Sequence, residues 1–187
     1  MLFRSAALLR TEGGRLLDQA RRVERLSRDA ETDPLTGLAN RRRLRRLMDD
    51  VAPGGALAVI DLDQFKVVND RFGHSAGDQV LRDFAACLRR ICGLGETAAR
   101  LGGEEFVVVC PSGGVAAGSL AMQRLRDAWQ ERPRLTTFSA GVAEMSETER
   151  PADVLHRADE ALYEAKASGR DRTIIADPAV LPAGPAL

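Results

Sequence analysis

Ala98-Ala99-Arg100-Leu101-Gly102-Gly103-Glu104-Glu105-Phe106-Val107-Val108-Val109-Cys110 reads as a β-hairpin. Two strand-like runs, Ala98 to Leu101 and Phe106 to Cys110, flank the four-residue connection Gly102 to Glu105, which holds two glycines and presents two adjacent carboxylates. Upstream, Ala56 to Ile60 is a short continuous apolar run, the pattern of a strand buried on both faces. It ends in Ile60-Asp61-Leu62-Asp63-Gln64-Phe65-Lys66, and a polar segment follows, Asn69-Asp70-Arg71-Phe72-Gly73-His74-Ser75-Ala76-Gly77-Asp78. If the apolar strand and the hairpin are neighbours, Asp61 and Glu104 converge at one sheet edge. Together the three segments suggest one nucleotide and metal site.

The rest of the chain supplies helices to cover such a sheet. Asn40 is placed to cap a helix running to about Asp50, after a boundary at Thr32-Asp33-Pro34, where Asp can cap and Pro can take the first helical position, and a turn at Thr36-Gly37. Val80, Leu81, Phe84, Leu88 and Ile91 share one side of a helix over Ala76 to Ile91. Gly113 to Gln130 reads as a helix, Thr136 to Glu144 as a strand, Ala152 to Ala167 as an amphipathic helix and Arg172 to Ala176 as a last strand. The expected fold class is therefore mixed α/β (α+β), a sheet covered by helices. Residues 1–31 are Arg-rich, with Leu2, Leu9, Leu16, Val23 and Ala30 recurring every seven positions as a coiled-coil seam, although Gly13-Gly14 interrupts it. Residues 32–176 form the catalytic-sized domain, and the Pro- and Ala-rich stretch 177–187 reads as a flexible tail.

Composition narrows the partners. The 187 residues suffice for one filled core plus an appendage. Positive and negative side chains balance at 27 each, so no global field favours nucleic acid or an anionic membrane, while a local phosphate site stays open. Cys87, Cys92 and Cys110 are odd in number, lack metal-ligand spacing and lie in apolar runs, which points to buried reduced thiols and a cytoplasmic setting. No run approaches the roughly 18 to 20 apolar residues needed to span a bilayer. Arg is the default cation, and the only lysines, Lys66 and Lys166, hint at a local need for a compact ammonium.

Convergent acids call for a cation, and Mg²⁺ is commonly held by one or two carboxylates with water and substrate phosphate completing the shell. Asp61 and Glu104, with the Leu62 carbonyl within reach, fit that pattern; each acid alone reads more readily as a solvated turn cap. Lys166 and Arg170 lie four apart at a helix end, with Gly169 between them as its left-handed terminator, and either serve the helix dipole or reach triphosphate oxygens. Asp63-Gln64-Phe65-Lys66 leads into a helix whose free amides can receive phosphate, with Lys66 adding charge or simply solvated. Asn69 and Asp78 offer the amide and carboxylate that reading a guanine requires, or else turn and cap residues. His74 reads as a structural hydrogen-bonding residue and His156 as surface.

These residues resemble the GGDEF family of diguanylate cyclases, with Gly102-Gly103-Glu104-Glu105-Phe106 as the Glu variant of its signature. The likeness runs from Asp33-Pro34-Leu35-Thr36-Gly37-Leu38-Ala39-Asn40-Arg41-Arg42 to Ala158-Asp159-Glu160-Ala161-Leu162-Tyr163-Glu164-Ala165-Lys166-Ala167-Ser168-Gly169-Arg170-Asp171, about residues 32–176. It implies a palm-like nucleotidyl-cyclase fold and condensation of two GTP into cyclic di-GMP with release of two pyrophosphates, by a homodimer in which each copy binds one GTP. It further implies that Asp61, the Leu62 carbonyl and Glu104 hold Mg²⁺, or Mn²⁺, with Asp63 a further acid beside the metal. Asn69 and Asp78 would read guanine. Lys166 and Arg170, helped by Lys66 and the amides near Phe65, would hold phosphates beside Gly102 and Gly103, and Glu105 would assist deprotonation of the 3′-hydroxyl.

The family's usual control is an upstream sensory module. Gly93 and Glu96 stand where many members carry an Arg-x-x-Asp product-inhibition motif, so inhibition through that site should be weak or absent. Asp78 favours GTP over ATP, since a carboxylate repels the N1 acceptor of adenine. The alternatives are a degenerate GTP-binding module acting as an allosteric or interaction unit, and a structural signalling partner that uses its N-terminal helix to dimerise another protein.

Overall fold

The computed structural model describes residues 31–132 and 135–178. The strands are β1 (Ala39–Asn40), β2 (Ala56–Leu62), β3 (Thr97–Gly102), β4 (Glu105–Cys110), β5 (Phe138–Glu144) and β6 (Thr173–Ile175). The helices are α1 (Arg41–Asp49), α2 (Phe65–Phe72), α3 (His74–Ile91), α4 (Gly114–Gln130) and α5 (Pro151–Ala167). The strands form one mixed sheet in the order β1-β3-β4-β2-β5-β6. The three central pairings are antiparallel, while β1 with β3 and β5 with β6 are parallel.

The apolar run that predicted a doubly covered strand is β2, and all seven of its residues are buried. Alternation divides it between two cores. Ala56, Ala58, Ile60 and Leu62 join α2, α3 and α4 on one face, whereas Leu57 and Val59 join α1 and α5 on the other. Phe84 of α3 anchors the first core, with its ring centroid 5.1 Å from Phe106, 5.1 Å from Trp129 and 5.4 Å from Phe138. Tilted aromatic pairs of this kind contribute roughly 0.5–1.5 kcal/mol each beyond area burial. On the second face α5 lies so close to β5 that a Cβ on Gly141 would stand 2.0 Å from the Ala158 carbonyl oxygen and 2.3 Å from the Leu162 nitrogen. Only glycine permits that approach.

Three expectations change. Asp33-Pro34 starts no helix: the Asp33 carboxylate accepts from the Thr36 amide at 2.8 Å and the Thr36 hydroxyl at 2.6 Å, closing a turn whose Gly37 amide bonds back to the Asp33 carbonyl at 2.8 Å. Asn40 caps α1 as anticipated, its side chain accepting from the Arg42 and Arg43 amides. The helix expected from Ala76 starts at His74, preceded by the separate short helix α2. Asp177 continues the ordered chain, its carbonyl accepting from Arg157 at 2.8 Å. The heptad reading of residues 1–31 and the tail beyond Pro178 lie outside the described residues, Glu31 excepted; its carbonyl accepts from the Asn40 amide at 2.9 Å. Cys87 and Cys110 are buried, Cys92 is partly so, and all three are free thiols. Burial, aided by Glu96, pushes Cys92 up to about 11 and Cys110 up to about 12, so both stay protonated.

Candidate active site

Strands β2 and β4 are the two middle strands, so the acids meet at the end of the sheet and not at its side edge. Asp61 lies opposite Glu105 in the antiparallel register, and the Leu62 amide donates to the Glu104 carbonyl at 3.3 Å. A bulge between Arg100 and Gly102 and left-handed backbone at Gly103 (φ 52°) turn the hairpin and bring both glutamates to that end. Asp61 is 8% exposed. Burial raises its pKa above the ordinary aspartate value, Lys166 pulls it down, and the charges of Glu104 and Glu105 raise it again.

The cation already beside these acids is Lys166, whose Nζ lies 2.9 Å from Asp61 Oδ2. Helix α5 delivers it, so the Gly141 contact that seats α5 also sets this pair. Among the described residues no group of three His, Cys, Asp or Glu side chains is placed to hold a metal ion. Two carboxylates and one carbonyl nevertheless suit Mg²⁺, which keeps water and phosphate among its ligands.

A second cluster follows directly in sequence. Gln64, with left-handed backbone (φ 53°), turns the chain from β2 into α2, and its side chain makes no cap hydrogen bond. Helix α2 therefore begins with no side chain of Gln64 across its amides, and Lys66 stands exposed in its first turn. One helix on, a Cβ at Gly77 of α3 would stand 2.0 Å from Asn69 Oδ1 and 3.1 Å from Phe65 Cζ. Asn69, Phe65 and Gly77 thus meet at one place, and Asp78 is the next residue of α3. Asp78 is half-exposed and only 3.9 Å from Arg82, a weak pairing that leaves its carboxylate accessible.

Arg170 is exposed after α5, with Gly169, Arg170 and Asp171 all in left-handed backbone. Its amide bonds the Ala165 carbonyl at 3.0 Å, ending the helix as the Gly169 signal foretold. Asp63, expected beside the metal, takes a different position. Its carboxylate is buried and accepts from the Thr137 hydroxyl at 2.6 Å, the Ser139 hydroxyl at 2.7 Å and the Asp171 amide at 3.1 Å. Its lone pairs are directed at the protein interior, so it is not a free acid of the site. His74 stands exposed as the first residue of α3, and His156 is a surface residue 3.4 Å from Glu160.

Several contributing residues escaped the sequence reading. Arg100 donates from Nε and Nη2 to the Gly103 carbonyl at 3.0 and 2.7 Å, and from Nη1 to both Asp33 oxygens at 3.0 and 3.2 Å. It fastens the hairpin tip to the turn that precedes β1. No linear motif joins residues 67 positions apart, although an Arg two residues before a Gly-Gly turn is a fair signal for a fork to a turn carbonyl. Gly77 carried a plainer one, since glycine inside a helix costs about 1 kcal/mol and marks a close approach. Gly93 and Glu96 bond each other, amide to carboxylate at 2.7 Å.

Among the described residues no helix is long and apolar enough to cross a membrane. Residues 30–172 match the family described as diguanylate cyclase, GGDEF domain. Among curated proteins the chain is 41% identical over 191 residues to diguanylate cyclase DgcP of Pseudomonas aeruginosa, covering 87% of this chain and 28% of that protein. It is 35% identical to diguanylate cyclase DgcS of Shewanella oneidensis, covering 81% and 55%, and 38% identical to the response regulator PleD of Caulobacter vibrioides, covering 78% and 36%. The chain thus spans between about a quarter and just over half of these relatives' length. Among solved structures, the coiled coil and GGDEF domain of DgcB from Caulobacter crescentus in complex with c-di-GMP superposes with a TM-score of 0.81 at 33% identity, over 91% of this chain and 98% of that one. The mixed sheet, the hairpin with its two glutamates and these matches have one conclusion: the chain belongs to the GGDEF family of diguanylate cyclases.

Proposed function

We propose that the chain condenses two GTP into cyclic di-GMP and two pyrophosphates, one GTP being held by each of two copies that face one another. The observation that supports this best is the meeting of Asp61, Glu104, Glu105 and Lys166 at the end of β2 and β4. Asp61, the Leu62 carbonyl and Glu104 would hold Mg²⁺, or Mn²⁺ in its place. The bound ion would offset phosphate charge and ease ionisation of the hydroxyl.

The chain's own groups do the positioning. Asn69 offers an amide to the acceptor edge of guanine, Asp78 accepts from its N1 and N2 hydrogens, and Phe65 packs beneath them. That carboxylate discriminates against adenine, which lacks those donors. The amides at the start of α2, Lys66, Lys166 and Arg170 take the triphosphate, with Gly102 and Gly103 keeping the hairpin tip free of side chains beside it. In the unliganded protein Lys166 neutralises Asp61; on binding it turns to phosphate. Each 3′-hydroxyl oxygen then bonds to the α-phosphorus of the other GTP, the bond from that phosphorus to the bridging oxygen breaks, and pyrophosphate leaves. Glu105, exposed beside Asp61, is placed to receive the hydroxyl proton.

One copy supplies half of this arrangement, so holding two loaded copies together contributes several kcal/mol, on the order of the proximity effect in other two-substrate reactions. An upstream module that sets the encounter is the partner this reading expects. The Gly93 and Glu96 pair offers no guanidinium fork for product, so feedback there should be weak. The test is product identity: purified protein with GTP and Mg²⁺ should yield cyclic di-GMP by mass, with two pyrophosphates per product, and Glu104→Ala should yield none. GTP binding without product would instead favour a binding module.

A further inference from the structure

We propose that Asp63 is a positioning residue for the phosphate side of the site, fixing the direction of Arg170 through the turn that carries it. The inference rests on the reading of Arg170 as a phosphate-binding group.

Asp63 directly follows the proposed metal-binding segment, just past the end of β2; it is 4% exposed, and the partners of its carboxylate all belong to later parts of the chain. Ser139 lies at the start of β5 and Thr137 just before it, and the Asp171 amide comes from the turn after α5. The Asp63 amide also donates to the Thr137 carbonyl at 2.9 Å, so backbone and side chain fasten the same place. Arg170 and Asp171 are both non-glycine residues with positive φ, 61° and 48°. Two consecutive residues of this kind persist where surrounding contacts fix them. The contacts here are the buried carboxylate on the Asp171 amide and Arg126 on the Asp171 carboxylate, with the Arg126 guanidinium 4.5 Å above the Phe138 ring. The clamp therefore joins the end of β2, where Asp61 sits, to the residue that aims Arg170.

A clamp and a metal ligand respond differently to substitution. Asparagine at 63 can accept from the Asp171 amide through its oxygen and donate to a hydroxyl through its nitrogen, because serine and threonine hydroxyls serve as donor or acceptor. The same substitution in a metal ligand removes charge from the cation. Backbone amide exchange at Asp171 and GTP affinity should be measured for the full chain, Asp63→Asn, Asp63→Ala, Arg170→Ala and the Asp63→Ala/Arg170→Ala double variant. We expect Asp63→Ala to speed Asp171 exchange by about tenfold or more and to weaken GTP by about tenfold, the scale of a hydrogen bond to a charged group. The double variant should then bind within about twofold of Arg170→Ala, and Asp63→Asn should stay within about threefold of the parent with unchanged Mg²⁺ dependence. Thr137→Val, which removes a single donor, carries the same cycle if Asp63→Ala does not fold. An unchanged Asp171 exchange rate, additive losses, or a Mg²⁺ requirement raised by Asp63→Asn would overturn the clamp. A parent that binds no GTP would instead refute the functional reading, leaving the exchange data to decide the turn contact by itself.

Discussion

Gly77→Ala should separate stability from activity. A methyl placed at residue 77 would stand 2.0 Å from Asn69 Oδ1, against an ordinary carbon–oxygen contact of roughly 3.3 Å, so the amide must retreat by about 1.3 Å. The obstructed atom is the far end of a side chain, so the fold can yield cheaply, and alanine gains about 1 kcal/mol over glycine in a helix interior. The thermal midpoint should stay level or rise. A displacement of that size removes Asn69 from the guanine edge, and misplacements near 1 Å cost on the order of a hundredfold where geometry carries the rate. We expect kcat/KM for GTP to fall by about ten- to a hundredfold. Inosine triphosphate gives the control: it keeps the acceptor edge and lacks the N2 amino group, so the Gly77→Ala loss should persist with it, while the loss from Asp78→Asn should shrink. Turnover within twofold of the parent in a protein that melts normally would refute the assignment of Asn69.

Other perturbations test the scaffold and its electrostatics. Asp61→Asn should abolish product formation yet raise the thermal midpoint near neutral pH without divalent ion. Because burial and the neighbouring glutamates raise the pKa of Asp61, the folded state holds its proton more tightly than the unfolded chain. Its contribution to stability is then full below the ordinary value of 3.8 and is lost as pH rises through the raised one, so the advantage of Asp61→Asn should vanish in acid when melting is followed by pH. Arg100→Ala should cost about 2 kcal/mol in denaturant unfolding by freeing the Gly103 carbonyl and Asp33, and Arg100→Lys should recover less than half of it, lacking the fork. Gly141→Ala should lose about 3 kcal/mol or more, read as a collapsed melting transition, because the atoms it meets are backbone.

What was legible in the sequence was whatever a short window determines. The continuous apolar run Ala56 to Ile60 announced β2, two glycines between apolar runs announced the hairpin, and Asn40 announced the start of α1. Asp33 misled because a capping residue before proline and a residue closing an isolated turn look alike until the following chain fails to coil; here Thr36 occupies its carboxylate and Gly37 breaks away. Asp63 misled for another reason. Two acids separated by one residue would share a face if the strand ran on through both, yet Asp63 lies past the end of β2, where the turn at Gln64 re-aims it towards Thr137 and Ser139. The contacts that hold the site together, Arg100 to Asp33 and Asp63 to Asp171, cross 67 and 108 positions and leave no periodic trace.

The central claim is that two copies of this chain, each loaded with GTP, join their substrates into one ring. Its most direct test is the initial rate of product formation from GTP and Mg²⁺ across a dilution series of the purified chain, with products resolved by mass. Cyclic di-GMP as product, with a rate that rises faster than linearly in protein concentration until the dimer saturates, is the result predicted. Linear dependence down to the lowest dilution in a protein shown to be monomeric, or a product other than cyclic di-GMP, would contradict it.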